Sequence, residues 1–300
     1  METIVSSREY DYFERQKLIQ ELCKNYGFVK KNIIGRSCLG RDITAMKIGS
    51  ASEYCLIAAA FHGSERITST ILLMFIEDLC NALKHDKSIE GINIKKAFYG
   101  RGVIFVPCVN PDGCDMSFKG AKAVSLINSA IGQMCKNDFT HWNANARGVD
   151  INHNFKADWE NLRKTERNMG IYGPGPTRFG GYKPESEPET IALTELCKTV
   201  SIRHALAFHS QGEVIYWDFN GMQPPRAKKM AEIMATSSGY ALDTPIGIAH
   251  GGGFKDWFIS EFNRPGFTVE LGKGTNPLPA EIAHEIYDRV REMLVLSIIM

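Results

Sequence analysis

Several features that mark particular classes of protein are missing from this sequence of 300 residues. It has no run of about 18 apolar residues, so no membrane-spanning helix is predicted. Basic and acidic residues nearly balance, 35 against 34, and the formal net charge of +1 argues against nonspecific nucleic-acid binding. Internal repeats and low-complexity segments are also missing, which argues against a repeat architecture. What is present, 44% hydrophobic and 23% charged residues, is an ordinary globular composition.

Cysteine occurs eight times, but no two cysteines form the Cys-x-x-Cys pair of zinc ribbons and redox motifs. Several of them lie inside apolar runs, where a reduced thiol behaves as a small hydrophobic group. Residues 1–10 carry Glu2, Arg8 and Glu9 and lack the apolar segment of a signal peptide. We therefore expect free thiols and a cytoplasmic location. A secreted protein whose leader has been removed would give the same pattern.

Apolar segments of two kinds alternate along the chain. Short continuous runs, which predict buried strands, occupy residues 55–61, 103–109 and 205–208, and residues 267–271 are also predicted to form a strand. Longer periodic segments, which predict helices, occupy residues 9–26, 67–83, 225–237 and 280–299. This alternation predicts an α/β fold with a mixed, mostly parallel twisted sheet and helices on both faces. No shift in composition marks a boundary, so residues 1–300 are predicted to form a single domain.

Two short motifs carry local signals. Asn110-Pro111-Asp112-Gly113 follows a predicted strand and has the composition of a tight turn. In Ser186-Glu187-Pro188-Glu189, the serine fits the N-cap of a helix and Glu189 fits its capping-box partner.

The central motif is Phe61-His62-Gly63-Ser64-Glu65, which lies between a predicted strand and a predicted helix. In open α/β sheets, ligands gather outside the carboxyl ends of the strands. An imidazole and a carboxylate three residues apart can turn toward one point, and a catalytic zinc typically takes three protein ligands plus water. A lone His-x-x-Glu pattern, however, is more often a pair of ordinary polar residues at a helix start.

Two further predicted strands end in polar residues of suitable kinds. Residues 205–208 are followed by His209, and the strand that begins at Phe267 delivers Glu270. A buried carboxylate without a partner is costly, and a metal or its water would explain Glu270 at this position. Three strand ends thus present His62 with Glu65, His209 and Glu270, a combination that chance rarely produces.

With these residues in its sequence, the chain resembles the zinc carboxypeptidase family, the carboxypeptidase A-like metallopeptidases, over nearly its whole length. The blocks that carry the resemblance follow the family's order and are His62-Gly63-Ser64-Glu65, Asn110-Pro111-Asp112-Gly113, Gly148-Val149-Asp150-Ile151-Asn152-His153-Asn154-Phe155, Ser186-Glu187-Pro188-Glu189-Thr190, His209-Ser210, Gly252-Gly253-Phe254-Lys255-Asp256-Trp257 and Thr268-Val269-Glu270. The resemblance implies a catalytic domain that binds one zinc ion. It implies His62, Glu65 and His209 as the zinc ligands.

The same resemblance implies Glu270 as general base and general acid. In that role Glu270 takes a proton from water activated by zinc and then hands a proton to the leaving amine. Arg147 resembles the arginine that polarises the scissile carbonyl and holds the oxyanion, although a solvated loop arginine is the alternative. Glu65, at a predicted helix start, is expected to stay anionic through the helix dipole.

Two positions depart from the family pattern. Where the family has an Asn-Arg pair that grips a C-terminal carboxylate, this chain has Asn152 and His153. Imidazole is not reliably charged at pH 7 and cannot form the bidentate pair that arginine forms with a carboxylate. This argues against strict carboxypeptidase action. Ile248 occupies the position of a mobile tyrosine in digestive members. His250 lies nearby and is either its substitute or a surface loop residue.

Substrate choice is expected to depend on Lys255. In the resemblance, this residue aligns with the position that recognises the side chain after the scissile bond. A buried lysine there favours an acidic group, whereas a lysine that points to solvent would not select at all. Residues 209–217 and 272–279 resemble the bacterial branch that cleaves γ-D-glutamyl–diaminopimelate bonds in cell-wall peptides. Diaminopimelate carries a distal carboxylate and a distal amine, and Lys255 with Asp256 is expected to receive them.

The sequence therefore predicts a zinc-dependent peptidase whose partner is a peptide or muropeptide, with no role for nucleic acid or membrane. The expected bond is γ-D-glutamyl–diaminopimelate in peptidoglycan peptides. One alternative is a metallocarboxypeptidase that releases acidic C-terminal residues from ordinary peptides. Another is an inactive binding module, but such proteins usually lose a ligand or the base, and all four residues are present here.

Overall fold

A computed structural model describes residues 3–124 and 129–300. Its strands are β1 (Lys30–Arg36), β2 (Asp42–Gly49), β3 (Tyr54–Ala59), β4 (Ser88–Ile89), β5 (Ile92–Asn93), β6 (Gly102–Val106), β7 (Ile202–His209), β8 (Val214–Tyr216), β9 (Ala241–Asp243) and β10 (Gly266–Glu270). Its helices are α1 (Tyr12–Asn25), α2 (Ile67–His85), α3 (Ile94–Ala97), α4 (Pro111–Lys119), α5 (Ser129–Met134), α6 (Trp159–Asn168), α7 (Pro188–Thr199), α8 (Arg226–Ser238), α9 (Phe254–Phe262) and α10 (Ala283–Ile299). Among these helices, none is both long and apolar enough to cross a membrane.

Eight strands form one mixed sheet in the order β1-β2-β6-β3-β7-β10-β8-β9. The four central strands β6, β3, β7 and β10 run parallel to one another. Strands β8 and β9 are also parallel, whereas β1–β2, β2–β6 and β8–β10 are antiparallel pairs. The predicted mixed, mostly parallel sheet is confirmed.

Strands β3 and β6 are buried along their whole length, which explains why they are continuous apolar runs. In β3, Cys55 and Ile57 belong to one hydrophobic core, whereas Leu56 and Ala58 belong to the other. Side chains of a strand alternate between faces, so β3, β6 and β7 each contribute to both cores. Helices α1, α2, α8 and α10 complete the first core, and α7 and α9 complete the second. The predicted helices on both faces are therefore present.

The turn predicted at residues 110–113 is wrong. Asn110 is the N-cap of α4, because its side chain accepts a hydrogen bond from the backbone N–H of Gly113. Pro111 takes the first helical position, where its missing N–H costs nothing. The same residues that favour a turn thus begin a helix here, since the chain continues in helical conformation to Lys119.

The capping box predicted at Ser186 is also wrong. Helix α7 begins at Pro188, so Glu187 is the N-cap and makes no side-chain cap. The Ser186 hydroxyl donates instead to Glu187, and the buried Glu189 carboxylate accepts from the backbone N–H of Cys38. Tertiary contacts have replaced the local cap.

Helix α6 was not predicted from the sequence. Eight of its ten residues are polar, so it lacks the apolar stripe that identifies most helices. Its buried face consists of Leu162, Arg163 and Glu166, two of which are charged. The helix matters for the site, because Glu166 reaches a residue of the cavity described below.

Candidate active site

The parallel sheet brings three of the predicted residues to one edge. In the pairing of β7 with β10, Glu270 lies directly opposite His209. Residues paired in this way on neighbouring parallel strands point to the same face. Strand β3 lies on the other side of β7 and leads through Ala60 and Phe61 to His62. The strand ends thus place both imidazoles and the Glu270 carboxylate together.

A close backbone contact fixes the loop that carries His62. A Cβ atom on residue 63 would lie 2.3 Å from the carbonyl oxygen of Gly113 and 2.4 Å from that of Trp142. Only glycine allows this approach. The side-chain amide of Asn110 donates to the carbonyl of Phe61, which holds the same loop from its other end.

Three potential ligand side chains converge in front of this edge. The two oxygens of Glu65 lie 2.9 Å from Nδ1 of His62 and 3.0 Å from Nδ1 of His209. The two Nδ1 atoms are 3.3 Å apart. All the ligand atoms lie within 4.8 Å of one another. Two imidazole nitrogens and a carboxylate form the donor set of a catalytic zinc, so these three residues fit that ion.

Asp150 orients the first of these ligands. Its Oδ1 accepts a hydrogen bond from Nε2 of His62 at 3.0 Å, and its Oδ2 accepts from the backbone N–H of Arg178 at 2.8 Å. Because Nε2 carries the proton, Nδ1 is the ring nitrogen that could bind a metal ion. Burial opposes the charge on Asp150, but the imidazole of His62 holds the pKa of that carboxyl well below its usual range. No sequence pattern assigns Asp150 a role, although it lies in the block of residues 148–155.

Glu65 and Glu270 are both buried, but the pKa values of their carboxyl groups shift in opposite directions. Burial raises the pKa of Glu65, but the imidazoles of His62 and His209 outweigh it and lower the value to about 2. Burial and the nearby charge of Glu65 raise the pKa of Glu270 well above its ordinary value. An anionic Glu65 suits a metal ligand, whereas a carboxyl that holds a proton readily suits a general acid and base.

Asp150→Asn is expected to weaken zinc binding by about 10-fold to 100-fold, because an amide no longer selects the tautomer of His62. Competition with a chelating dye measures this affinity, and circular dichroism reports whether the fold is kept. The exposed Asp138→Asn variant serves as the matched control. Unchanged zinc affinity in a folded Asp150→Asn protein would show that the aspartate does not orient the ligand.

A cavity of about 140 Å³ adjoins the convergent residues. It is lined by His62, Asn152, His153, His209, Tyr216, Pro245, Ile248, Ala249, Gly251, Gly253, Lys255, Asp256, Thr268 and Glu270. Four of the five residues predicted to bind substrate are therefore on its wall. The remaining one, His250, packs against the ring of Phe219 at 5.2 Å between ring centroids, and Ile248 lines the cavity beside it.

Lys255 is buried at the cavity wall rather than pointing to solvent, with 4% of its surface exposed. Its ammonium group forms an ion pair with Asp256 and donates to the carbonyl oxygen of Asp218 at 2.6 Å. The second carboxylate oxygen of Asp256 accepts from the backbone N–H of Gly251. The cavity thus offers a positive and a negative group side by side.

Arg147 lies away from this cavity. Its side chain is 57% exposed, and its guanidinium is 3.6 Å from a carboxylate oxygen of Glu187. It is not among the residues that line the cavity next to His62. Its predicted role at the oxyanion therefore requires the side chain to leave Glu187.

A second group of potential ligands consists of Cys38, Glu187 and Glu189. Both carboxylates already accept hydrogen bonds from the side-chain amide of Asn145, at 2.8 and 3.1 Å. Burial raises the pKa of Glu189 to about 7, so this carboxyl group is partly protonated near pH 7 and the negative charge of the group is smaller. The oxygen of the Asn145 amide accepts from the backbone N–H of Val149. We interpret this group as the anchor of the segment that presents Asp150.

Known proteins resemble this chain in sequence and in fold. The sequence profile of the zinc carboxypeptidase family matches residues 16–292. The γ-D-glutamyl-L-diamino acid endopeptidase 1 of Lysinibacillus sphaericus is 38% identical over 93% of this chain and 70% of its own length. Murein peptide amidase A of Escherichia coli K12 is 27% identical over 84% of each chain. Carboxypeptidase A from Helicoverpa armigera shares the fold, with a TM-score of 0.73, 20% identity, and 97% of this chain and 73% of that chain covered.

Proposed function

The chain belongs to the zinc carboxypeptidase family and is a metallopeptidase, and from this premise we propose that it hydrolyses γ-D-glutamyl–diamino acid bonds in cell-wall peptides. The observation that carries the proposal is the 38% identity with a γ-D-glutamyl-L-diamino acid endopeptidase over 93% of the chain. The similarity to a murein peptide amidase supports the same class of substrate.

The proposed chemistry assigns each residue a task. His62, Glu65 and His209 would hold one zinc ion, which supplies Lewis acidity and acidifies a coordinated water when bound. Glu270 takes the proton of the attacking water and returns a proton to the departing amine. Burial and the nearby Glu65 raise its pKa, which favours the uptake and return of a proton by this carboxyl group. Arg147 is kept as the candidate that holds the oxyanion.

The charged residues on the cavity wall favour a substrate with a diamino acid after the scissile bond. Diaminopimelate ends in a carboxylate and an ammonium group on the same carbon. Lys255 and Asp256 present the complementary pair of charges at a buried position. A lone carboxylate would match only half of this pair. Charged hydrogen bonds in such a desolvated place are stronger than neutral ones.

The alternative is a carboxypeptidase that removes acidic residues from ordinary peptides. Its main difficulty is His153, which replaces the arginine expected to grip a terminal carboxylate.

We propose a cytoplasmic location for the activity and one catalytic domain over residues 1–300. The eight cysteines are free thiols in the structure, which supports a reducing compartment.

A direct comparison of substrates tests the proposed function. The zinc-loaded protein is offered a γ-D-glutamyl–diaminopimelate muropeptide and a peptide of equal length that ends in glutamate. We expect a higher kcat/KM for the muropeptide. Preference for the peptide that ends in glutamate would favour the acidic carboxypeptidase instead.

Lys255→Ala is expected to reduce kcat/KM by roughly thirtyfold or more for a diaminopimelate substrate, because losing one partner of a desolvated charge pair costs about 2–5 kcal/mol. The loss is expected to be smaller for the matched substrate with lysine, which lacks the distal carboxylate. Comparing both substrates in both proteins gives a double-mutant cycle, in which effects of the unpaired Asp256 common to both substrates cancel. A coupling energy near zero would place Lys255 outside the recognition of this carboxylate.

A further inference from the structure

The hydrogen bonds of His153 fix which of its ring nitrogens carries the proton. Its Nδ1 lies 2.9 Å from Oε1 of Glu166 and 3.1 Å from the carbonyl oxygen of Arg178. A carbonyl oxygen can only accept, so Nδ1 must be the donor. Glu166 is fully buried and is held in place by an ion pair with Arg163 and by the backbone N–H of Gly180.

The other ring nitrogen of His153 is therefore an acceptor in the neutral imidazole. Among the described residues, Nε2 has no hydrogen-bond partner, and His153 is on the wall of the cavity. The residue is buried, with 9% of its surface exposed. Burial lowers its pKa below the ordinary value, which opposes protonation of Nε2.

We propose that His153 presents a hydrogen-bond acceptor to the leaving half of the substrate and selects an amide N–H over a free α-carboxylate at that point. This inference rests on the proposed function and specifies its substrate further. The leaving diamino acid would have its α-carboxyl group blocked, either by amidation or by the next residue of the peptide. The enzyme would then act as an endopeptidase and not as a carboxypeptidase.

The charges around the cavity support this choice. A free carboxylate next to Nε2 of His153 would face a lone pair and would need a cation nearby. Lys255 is the only lysine or arginine on the cavity wall of the described chain, and the proposed function already assigns it to the distal carboxylate of the diamino acid. An amide group has no charge to neutralise and donates directly to the imidazole. Unmatched polar groups in a desolvated site are costly, so the two substrates are expected to differ clearly.

Two substrates that differ at one group test the inference. Both contain γ-D-glutamyl–diaminopimelate, and the α-carboxyl group next to the scissile bond is free in one and amidated in the other. We expect the zinc-loaded wild-type enzyme to favour the amidated substrate roughly tenfold or more in kcat/KM. His153→Arg is expected to reverse the preference, because a guanidinium pairs with a carboxylate and has no acceptor.

A milder variant and a spectroscopic readout keep the test independent of folding. His153→Gln offers an amide that can rotate, so the preference between the two substrates is expected to fall close to one, and thermal unfolding reports its stability. In protein labelled with ¹⁵N-histidine, the signal that disappears in His153→Gln is assigned to His153. Its Nε2 is expected to have the chemical shift of an unprotonated nitrogen at pH 7.

Each outcome has a distinct meaning. Equal or better cleavage of the free-acid substrate by wild type would overturn the inference and leave the proposed function standing. A protonated Nε2 at pH 7 would overturn it as well. Failure of the zinc-loaded enzyme to cleave either substrate would reject the proposed function, and the inference with it.

Discussion

Replacing His62 or His209 with alanine is expected to abolish stoichiometric zinc binding and to reduce hydrolysis to the background rate. The two Nδ1 atoms and the Glu65 carboxylate are the three convergent donors, and either substitution leaves only two of them. A catalytic zinc site typically needs three protein ligands. Metal content per protein molecule, measured by mass spectrometry after dialysis, provides the readout.

A histidine outside the site provides the control for this loss. His284 is exposed on α10, so His284→Ala should keep both zinc and activity. His209 is buried at the end of β7, and thermal unfolding must therefore be followed in parallel. Zinc content equal to wild type in both His62→Ala and His209→Ala would show that the metal binds elsewhere.

Glu270→Gln is expected to keep zinc while kcat/KM falls by several orders of magnitude. Loss of general acid–base catalysis alone costs about 10²-fold to 10⁴-fold, and poorer activation of the attacking water adds to it. Glutamine has nearly the same shape as glutamate but cannot accept and return a proton. The side chain lies on the cavity wall, paired in register with His209, so the substitution should leave the strand intact.

The exposed Glu281→Gln variant is the matched control, since it makes the same chemical change on the surface. Zinc content, thermal stability and kinetics are measured for both proteins. A Glu270→Gln enzyme with wild-type activity would remove Glu270 from the mechanism. Loss of zinc in that variant would make Glu270 a ligand and not a base.

The sheet and the convergent edge could be predicted because two simple patterns determine them. Continuous apolar runs identify strands that are buried on both faces, and parallel strands place their carboxyl ends together. His62 and His209 each follow such a run, and Glu270 belongs to the predicted strand that begins at Phe267, so a parallel arrangement of these strands predicts that the three residues lie close together. The register that sets Glu270 beside His209 strengthens this convergence, although no sequence pattern specified it.

The partners of the cavity residues could not be predicted, because they come from distant or weakly patterned segments. Glu166 lies on α6, whose polar sequence gives no helical signal, yet it fixes the tautomer of His153. Asp150 has no apolar period around it, and only the folded chain shows it bound to His62. The ion pair between Lys255 and Asp256 joins sequence neighbours, but their burial depends on the loop that holds Asp218.

The most direct test of the central claim is the identification of products by mass spectrometry. A muropeptide that contains one γ-D-glutamyl–diaminopimelate bond is incubated with metal-free protein and with the same protein reconstituted with one equivalent of zinc. We predict that the reconstituted protein cleaves this bond and releases a new γ-D-glutamyl carboxylate and a new diaminopimelate amine, while the metal-free protein leaves the peptide intact. Cleavage at another bond, or equal cleavage without zinc, would contradict the account.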